Sequence, residues 1–466
     1  MALPVNVEVV RKALKAGKTS KRKQALSAIT KARQAQRLGL NEISAILYHA
    51  SDVEKELFAA SSFVRKAVYG RRMILFAPLY WSSFCVNNCL YCGFRHDNAY
   101  SKRIVLSEEE ILNEVKILAS RGYRRILLES GEDPTHNRIE YLCGLMRSVY
   151  ALCDERGRPC IDRINVNIAA TTIEHYRKLR AAGMGTYNLF QETYHQPTYE
   201  DVHPQGPKHN YVRQVTAHDR ALKAGIGDVG LGVLWGLYDW RFEIIALIEH
   251  ARYLERMFGI GPHTFSVPRL KPACGVDYIP PCPVSDEDLL HIVAILRIAV
   301  PYAGVVISTR ESASLRRTSF LIGVSQTSAG SSTEVGGYAY PDGTRGSQFA
   351  LEDHRGLEEV VRELLEDGFI PAFCTACEQR GRTGINFMRL AKTGFIGTLC
   401  NVNSLLALQQ YVADGTSSGF VSKETAKLAE ALIETELCIT PPFVRVEIEK
   451  SLECIRGGTL ARERYI

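Results

Sequence analysis

The chain has 466 residues, of which 46% are apolar and 23% charged, and its formal net charge is +6. These values are typical of a folded soluble protein, and the length allows one large domain with additions or two to three domains. Positive and negative residues are interleaved without a basic block, so nucleic-acid binding is not expected. We find no secretory signal and no apolar run long enough to cross a membrane, and therefore expect a cytoplasmic protein without a membrane partner.

Thirteen cysteines occur in the chain. Without an export signal, this number favours a reducing compartment and metal ligation over disulfide bonds. Six of the cysteines form two groups. The others are scattered, and we interpret them as small buried or incidental residues.

Residues 1–65 are predicted to be helical. Lys12, Lys15, Lys18 and Lys21 occur among Val, Leu and Ala at helical spacing. A basic amphipathic start also fits a transit peptide, but acidic residues follow soon and no cleavage pattern is evident. We therefore expect an N-terminal helical extension packed on the main domain.

From residue 73 onward, short apolar runs alternate with amphipathic helical patterns. These patterns have clear start signals, such as the capping sequences that begin at Ser107 and Ser285. Successive strand-then-helix units predict an α/β fold with a (β/α)8 barrel over residues 66–350. A doubly wound open sheet is the alternative, because sequence does not show closure. The candidate strands are Met73–Leu79, Arg125–Glu129, Ile164–Ala169, Thr186–Gln191, Val229–Leu234, Thr264–Pro268, Val305–Thr309 and Ile322–Gln326.

Three cysteines, Cys85, Cys89 and Cys92, follow the first candidate strand at the spacing C-x3-C-x2-C. Four thiolates would saturate a 4Fe–4S cluster, whereas three leave one iron open to a ligand that takes part in chemistry. A zinc site would need a fourth ligand, for which His96 is the near candidate, and this spacing is unusual for zinc. The motif therefore predicts a 4Fe–4S cluster with an open iron.

Residues 351–466 are predicted to form a mainly helical C-terminal domain with a second cysteine group. Cys374, Cys377 and Cys400 stand at the spacing C-x2-C-x22-C. A C-x-x-C pair alone also fits redox chemistry or zinc. Three thiolates again leave one iron of a cubane open, so we expect a second Fe–S cluster in this domain.

Polar residues gather where the candidate strands end, which is where barrel enzymes place their chemistry. Amides, hydroxyls and charges at so many strand ends suit a small ligand with many functional groups. His263 stands where the sixth candidate strand begins. The residues at the strand ends include Ser130, Gly131, Glu132, Asn167, Thr171, Gln191, Glu192, Ser308 and Arg310.

The first cysteine motif, with Tyr91 just before its last cysteine, resembles the signature of the radical S-adenosylmethionine (SAM) enzymes. Together with the second motif, it is similar to the HydG family, the tyrosine lyases that mature the FeFe-hydrogenase active site. The similarity extends through residues 166–172, 190–195, 261–269, 308–311 and 381–384. The 2-iminoacetate synthases (ThiH) share the barrel and the cleavage of tyrosine but lack the second motif.

This resemblance implies an activity. In the family, the open iron chelates SAM, and an electron from the cluster cleaves SAM to methionine and a 5′-deoxyadenosyl radical. The radical abstracts hydrogen from the amino group of L-tyrosine, and the Cα–Cβ bond breaks to give p-cresol and dehydroglycine. At a C-terminal 4Fe–4S cluster with an additional iron, dehydroglycine becomes CO and cyanide. The implied partners are an electron donor such as ferredoxin or flavodoxin, and HydE and HydF for later assembly steps.

The resemblance also implies roles for single residues. His263 matches the histidine that ligates the additional iron, and Ser308 and Arg310 match residues that bind the tyrosine carboxylate. The matching ligands of the SAM cluster are Cys85, Cys89 and Cys92, and those of the auxiliary cluster are Cys374, Cys377 and Cys400. The candidates for cofactor contacts are Tyr91, Ser130, Gly131, Glu132, Asn167, Thr171, Gln191 and Glu192.

Two other interpretations stay open. The chain can be a ThiH-like 2-iminoacetate synthase, or a paralogue acting on another aromatic amino acid, whose second cluster has changed its role. It can also be an Fe–S scaffold that stores and transfers clusters, although this does not account for Glu132, Ser308 and Arg310. Glu378 follows Cys377 where the family usually has an aromatic residue. A carboxylate beside the cluster would change its electrostatics.

Overall fold

The structure, a computed structural model, describes residues 3–341, 343, 345–392 and 395–466. Within these residues, nine strands form one parallel sheet. They are β1 (Arg72–Ser82), β2 (Arg125–Ser130), β3 (Arg163–Asn167), β4 (Thr186–Asn188), β5 (Asp228–Gly232), β6 (Thr264–Ser266), β7 (Gly304–Ile307), β8 (Gln326–Ser328) and β9 (Ile370–Ala372).

The first eight strands close into a barrel. Their hydrogen-bonded order runs from β2 through β8 to β1, and β1 pairs in turn with β2. Within β1, Ile74–Phe76 pair with β8 and Ala77–Leu79 pair with β2. The predicted (β/α)8 barrel is therefore confirmed, and the open doubly wound sheet is excluded. We call the end where the strands terminate the top mouth, and the end where they begin the bottom mouth.

Residues along the strands alternate between two environments. Ile126 and Leu128 of β2, and Ile164 and Val166 of β3, are fully buried against the surrounding helices. Because successive side chains of a strand point to opposite faces, the residues between them point into the barrel. The inward positions therefore include Arg125 and Glu129 at the two ends of β2, which places polar groups at both mouths.

Helices at the N-terminus form the predicted extension. Their buried residues, such as Val10, Ile29, Ile43 and Ile46, belong to one core shared with the barrel helices. The last of them, α4, packs on a barrel helix that begins at Asp286. The helices are α1 (Val7–Lys18), α2 (Arg22–Arg33), α3 (Leu40–Tyr48) and α4 (Glu54–Tyr69).

The barrel helices begin at the expected caps. The Ser107 hydroxyl accepts from the Glu110 amide at 3.2 Å, and the Glu110 carboxylate accepts from the Ser107 amide at 2.8 Å. Ser285 caps its helix in the same way. The helices are α5 (Glu108–Ser120), α6 (Ile139–Ala151), α7 (Ile173–Ala181), α8 (Gln196–Val202), α9 (Tyr211–Val215), α10 (Ala217–Lys223), α11 (Trp240–Phe258), α12 (Asp286–Ala299) and α13 (Ala313–Ile322).

The eighth strand lies later in the chain than the predicted run Ile322–Gln326. Ile322 is the last residue of α13, and Val324 is buried in the turn that follows. The apolar run therefore anchors the end of a helix, and the strand begins only at Gln326. The predicted strand overlaps the observed one at a single residue.

The C-terminal region is not purely helical. Strand β9 pairs with Arg72–Ile74 at the start of β1 and so extends the sheet at the bottom mouth. The sequence prediction missed this strand, which has only three residues, one of them Pro371. The helices are α14 (Leu357–Glu366), α15 (Ala376–Gln379), α16 (Gly384–Lys392), α17 (Phe395–Ser418), α18 (Lys423–Cys438) and α19 (Pro442–Arg456).

None of the helices in the described part of the chain combines the length and the apolar character that a membrane span requires.

Candidate active site

The first cysteine group lies in a loop at the top mouth. All three thiols line a cavity of about 200 Å³ inside the barrel. Backbone hydrogen bonds fold the loop: the His96 amide donates to the Asn87 carbonyl at 2.8 Å, and the Cys92 amide donates to the Cys89 carbonyl at 3.2 Å. These bonds hold the three sulfur atoms on the cavity side. His96 instead pairs with Asp97 on the exposed side of the loop.

The spacing of these thiols suits a cluster better than a single ion. Within the described residues, the three sulfur atoms are not all within 4.8 Å of one another. Thiolates bound to one zinc ion at 2.3 Å each cannot lie farther apart than that, whereas a cubane separates its ligands more widely. The zinc alternative is therefore disfavoured.

Burial makes these thiols costly to ionise without a metal. It raises the pKa of Cys89 strongly and the pKa of Cys92 to about 11. A bound iron cation offsets this cost by stabilising the thiolates. Two side-chain amides also approach the sulfurs, from Asn87 to Cys85 at 3.8 Å and from Gln348 to Cys92 at 3.9 Å. The donor set and its surroundings therefore fit an Fe–S cluster.

The loop is tied to the end of β2 through Glu132. The Val86 amide donates to the Glu132 carbonyl at 2.7 Å. The Glu132 carboxylate accepts from the Asn87 amide at 2.7 Å and from Arg213 at 2.6 Å. Gly131 beside it has no room for a side chain, since an added Cβ would lie 2.8 Å from the Cβ of Cys85. Ser130, Gly131 and Glu132 therefore line the cavity directly beside the cysteine loop.

Glu192 lies in the cavity wall, close enough to Cys89 to affect its pKa, and has an unusual backbone conformation. Its φ is 68°, a left-handed value that non-glycine residues rarely adopt. The Glu192 carboxylate accepts from the Lys208 ammonium at 2.6 Å, and both side chains line the cavity. Residues held in such conformations cluster at functional sites, where the surrounding structure maintains the strain. Lys208 was not predicted from the sequence, because its partner Glu192 lies 16 residues earlier in a separate turn of the chain.

Ser308 and Arg310 follow β7 and line the same cavity. The Arg310 guanidinium lies 3.3 Å from the centre of the Phe349 ring and donates to the Arg269 carbonyl at 3.4 Å. Within the described residues, no carboxylate pairs with it at salt-bridge distance. Burial lowers the pKa of Arg310, with nearby Tyr80 and Glu129 opposing the effect. A positive charge without a paired anion is suited to a ligand carboxylate.

The second cysteine group lies at the bottom mouth. Strand β9 leads directly to Cys374 and Cys377, and Cys400 comes from α17. The three thiols line a cavity of about 50 Å³ that reaches the barrel interior. As at the top, these sulfur atoms are not all within 4.8 Å of one another among the described residues. The spacing again suits a cluster rather than one metal ion.

Arginines surround this second group. Arg72, Arg125 and Arg163 come from the first residues of three adjacent strands and line the cavity with the thiols. The Arg125 guanidinium donates to the Cys374 carbonyl at 2.8 Å. The arginines would balance the negative charge of thiolates and of an anionic ligand. The sequence shows an arginine at the start of each of these three strands, but the prediction did not use this pattern to locate the site.

The thiols of the second group differ in acidity. Burial raises the pKa of Cys374 to about 11. Contact between Cys377 and Cys400 raises the pKa of Cys377 and lowers that of Cys400, and Arg72 lowers the pKa of Cys400 further. Cys400 is therefore the more acidic thiol of this pair. The side chain of Glu378 lies outside the described part of the chain, so its predicted effect on this site stays a prediction.

His263 faces the second cysteine group and not the first. It lies just before β6 at the bottom mouth, where it lines the cavity with the three thiols. Its ring packs on Phe387 with centroids 4.5 Å apart, and its Nδ1 lies 3.9 Å from the Asp228 carboxylate. The resemblance groups His263 with the second cysteine group, and the structure places it there because it begins a strand rather than ending one. Its role as an iron ligand stays a prediction.

The chain is similar to known proteins over nearly its whole length. The family model of the Radical SAM superfamily matches residues 79–250, and that of the Biotin and Thiamin Synthesis associated domain matches residues 266–370. A crystal structure of HydG, described as a maturase of the FeFe-hydrogenase, is 44% identical with a TM-score of 0.92 and covers 98% of each chain. The chain belongs to the HydG family. HydG from Carboxydothermus hydrogenoformans is 37% identical with a TM-score of 0.83, covering 96% of this chain and 98% of its own.

Relatives outside the HydG family are more distant. The 2-iminoacetate synthase of Salmonella typhimurium is 29% identical over 352 residues, which is 74% of this chain and 89% of the relative. Membership of the HydG family makes the chain a radical SAM enzyme, and it implies a 4Fe–4S cluster and SAM. The top mouth, with Cys85, Cys89 and Cys92, has the residues to hold both.

Two candidate cofactor residues of this HydG-family chain lie off the cavity wall. The Thr171 hydroxyl bonds to His175 at 2.7 Å in the turn before α7. Gln191 is buried, and its side chain donates to the Thr193 carbonyl at 3.4 Å. Their roles stay predictions. The other predicted residues of the top site line the cavity: Cys85, Cys89, Tyr91, Cys92, Ser130, Gly131, Glu132, Asn167, Glu192, Ser308 and Arg310.

A third cavity of about 40 Å³ lies between the two sites in the barrel interior. It shares Arg125, His263 and Gln326 with the bottom cavity. The residues that it shares with the top cavity are mostly apolar: Phe76, Leu127, Phe190, Ser266 and Val306. The rest of its wall consists of amides and hydroxyls, from Asn165, Thr186, Asn188 and Thr264. The barrel interior between the two cysteine groups is therefore partly polar.

Proposed function

We propose that this chain is a radical SAM lyase that cleaves the Cα–Cβ bond of L-tyrosine to p-cresol and dehydroglycine. We also propose that dehydroglycine is converted to CO and cyanide at a second Fe–S cluster, for assembly of the FeFe-hydrogenase active site. The observation that carries this proposal is the pair of three-thiol cavities at opposite mouths of one barrel, with a third cavity between them. A single-cluster lyase has no need of the second cavity.

At the top site, the chain's residues bind and orient. Cys85, Cys89 and Cys92 would hold the SAM cluster, which supplies the electron that cleaves SAM. Glu132, fixed by Asn87 and Arg213, presents carboxylate oxygens beside the cysteine loop, where a SAM amine would find a charge-assisted partner. Tyr91 donates to His203 or accepts from it at 2.8 Å, which fixes its ring in the wall next to Cys92.

Arg310 and Ser308 would hold the tyrosine carboxylate. Phe349 covers one face of the guanidinium, so the ligand meets its edge, where the paired N–H donors point. This arrangement fixes the position of the amino acid through its carboxylate group. The phenol then extends into the apolar part of the cavity, which includes Leu234, Val267 and Leu270.

At the bottom site, Cys374, Cys377 and Cys400 would hold the second cluster, and His263 would ligate an additional iron. The ring of His263 packs on Phe387, and its Nδ1 lies 3.9 Å from the Asp228 carboxylate, beyond hydrogen-bonding distance. The guanidinium groups of Arg72, Arg125 and Arg163 suit an anionic product such as cyanide or a carboxylate. The partly polar interior would allow dehydroglycine to pass between the sites without leaving the barrel.

Anaerobic turnover with SAM, dithionite and tyrosine tests this function. Wild type should yield p-cresol, measured by chromatography, together with CO trapped on haemoglobin. The double variant Cys374→Ser/Cys377→Ser should still make p-cresol but lose most of the CO, because the top site keeps its own cysteines. The double variant Cys153→Ser/Cys438→Ser changes two exposed cysteines and is the matched control. CO at the wild-type ratio to p-cresol in the first variant would show that the second cluster is not the site of CO formation.

A 2-iminoacetate synthase activity is the second candidate. It rests on the 29% identity to the Salmonella enzyme over most of the chain. This candidate predicts p-cresol with 2-iminoacetate or its hydrolysis product glyoxylate, and no CO, from wild type itself. An Fe–S scaffold would give no 5′-deoxyadenosine with SAM and reductant. The same turnover experiment distinguishes the proposed lyase, the 2-iminoacetate synthase and the Fe–S scaffold.

Partners and boundaries complete the proposal. We assign the electron supply to a ferredoxin or flavodoxin, and the later assembly steps to HydE and HydF.

We propose that the chain has three regions, 1–65, 66–350 and 351–466, and that β9 of the last region joins the barrel sheet. Limited proteolysis of the loaded protein, read by mass spectrometry, tests the two boundaries.

A further inference from the structure

Glu129 is a carboxyl group in the top cavity to which the proposed function assigns no role. It is the next-to-last residue of β2 and points into the barrel, where it is half-buried. Its register neighbours are Tyr80 on β1 and Asn167 on β3. The Asn167 amide donates to the Glu129 carboxylate at 3.3 Å. The Tyr80 hydroxyl donates to Gln348 at 2.8 Å and also interacts with Glu129. The Glu129 side chain lines the cavity, where a ligand can reach it.

The cavity presents one cation and one anion that are not paired with each other. Arg310 is close enough to affect the ionisation of Glu129, yet no salt bridge joins them among the described residues. The other charged groups of the wall are already paired, Glu132 with Arg213 and Glu192 with Lys208. A free α-amino acid carries one carboxylate and one ammonium group a few bonds apart. Arg310 and Glu129 are complementary to these two charges.

We infer that Glu129 binds the α-amino group of the amino-acid substrate and takes up one of its protons. The inference rests on the proposed function in that the substrate is an aromatic amino acid held by Arg310. The step moves one proton from the ammonium nitrogen to a carboxylate oxygen of Glu129. The products are a neutral amine, which keeps the nitrogen lone pair, and a neutral carboxylic acid. No other bond forms or breaks, and no electron is transferred.

A neutral amine is the form from which hydrogen-atom abstraction leaves an uncharged nitrogen radical. Abstraction from an ammonium group would leave the positive charge in a partly desolvated cavity, where an uncompensated charge is costly. Burial raises the pKa of Glu129 to about 7, although Tyr80, Arg310 and Asn167 oppose the increase. A carboxyl group with this pKa gains or loses a proton readily near neutral pH. The groups that face it are Tyr80, Asn167 and Arg310, and the Glu192–Lys208 pair lines the same cavity.

Equilibrium dialysis of the cluster-loaded protein with SAM and no reductant tests the contact without turnover. The ligands are tyrosine, 3-(4-hydroxyphenyl)propanoate without the amino group, tyramine without the carboxylate, and phenylalanine without the hydroxyl. In wild type, loss of the amino group should weaken binding about 10- to 100-fold, the usual effect of a charge-assisted hydrogen bond. In Glu129→Gln, tyrosine and the propanoate should bind within about threefold of each other, since the charged partner of the amine is gone.

Two further variants make this result decisive. Glu140→Gln makes the same chemical change on an exposed helix position and should keep wild-type values. Glu129→Asp keeps the charge on a shorter side chain and should retain part of the preference for the amino group. If Glu129→Gln keeps the full preference, or instead loses the preference for tyrosine over phenylalanine, Glu129 does not contact the amine and the inference fails. Circular dichroism and SAM binding verify that each variant is folded.

The pH dependence of turnover tests the proton transfer. At saturating tyrosine and pH 7, Glu129→Gln should form p-cresol at least about 100-fold more slowly, the usual loss when a general base is removed. Its rate should then rise towards pH 9, because solvent removes the proton instead, while the wild-type rate stays nearly level. A variant with the wild-type pH profile would overturn the proton-transfer role. If wild type itself forms no p-cresol, the proposed function fails, and the dialysis result still judges the Glu129 contact.

Discussion

Gly131→Ala should disable the top site through a single methyl group. The added Cβ would lie 2.8 Å from the Cβ of Cys85 and closer still to the carbonyl oxygen of Phe84, where contacts under 3.0 Å are essentially never found. The Asn137 amide donates to both the Phe84 carbonyl, at 3.0 Å, and the Gly131 carbonyl, at 2.7 Å. This bridge holds the two backbone segments together. The segments cannot separate without losing hydrogen bonds next to a cluster ligand.

The overlap destabilises the conformation of the cysteine loop that binds SAM. Inserting a methyl group into a well-packed contact costs about 1–3 kcal/mol. If the loop moves to relieve it, that energy is lost from SAM binding, which corresponds to an affinity about 5- to 150-fold weaker. The bottom site is tied to β9 and α17 and should not be affected. The variant should therefore bind SAM poorly while it keeps the second cluster.

Isothermal titration with SAM and separate quantification of the two clusters measure these effects. Gly144→Ala is the matched control, because Gly144 lies within α6 and an added Cβ there meets no atom within 4 Å. That control should bind SAM normally and gain about 0.5–1 kcal/mol of stability, since alanine is the better helix former. Wild-type SAM affinity in Gly131→Ala would refute the argument that the loop is fixed at this contact.

Three further substitutions test other parts of the structure. Asp228→Asn removes the carboxylate that pairs with buried Arg163 at 3.1 Å and should lower the free energy of unfolding by about 3 kcal/mol in denaturant unfolding. Glu140→Gln, at an exposed ion pair, is the control and should leave this free energy nearly unchanged. Burial raises the pKa of Glu243 to about 8 from 4.5, so the folded state holds more protons between these values and stability should fall as pH rises from about 5 to 8. The melting temperature of Glu243→Gln should not show this decline with pH. An equal decline in the variant and in wild type would contradict the prediction. Arg310→Lys should weaken tyrosine binding by about 1–3 kcal/mol, since the planar fork is lost, but should leave the affinity for tyramine unchanged in dialysis.

The barrel was predictable because local signals repeat along the chain. Each strand is short and apolar, and helices such as α5 and α12 begin at capping boxes that the sequence shows directly. The top site follows from the same pattern, since parallel strands bring their final residues to one mouth. The misplaced eighth strand shows the limit of this reasoning. An apolar run that anchors a helix end has the same composition as a buried strand.

The bottom site was not predictable by the same rule. Strand β9 pairs with β1, nearly 300 residues earlier in the chain, and its middle residue is a proline that argues against a strand. The pairing is tolerated because β9 lies at the edge of the sheet and pairs with β1 alone. This contact brings Cys374 and Cys377 to the bottom mouth and turns His263 from a strand start into part of a site. The sequence groups the three cysteines and the resemblance assigns His263 to them, but only this pairing shows that the group lies at the bottom mouth.

Glycines in the barrel interior explain how one sheet serves two sites. Gly230 and Gly232 occupy inward positions of β5, and both are fully buried. An added Cβ at Gly230 would collide with the Asn188 amide oxygen and lie 2.7 Å from the Thr264 hydroxyl, and one at Gly232 would lie 2.5 Å from the Phe190 ring. The neighbouring strands thus fill the space that these glycines leave with polar and aromatic groups. Most barrel interiors are packed with branched apolar side chains, which would seal the centre. Here glycines and polar side chains take the place of many of these residues, and a cavity with a partly polar wall therefore remains between the two mouths.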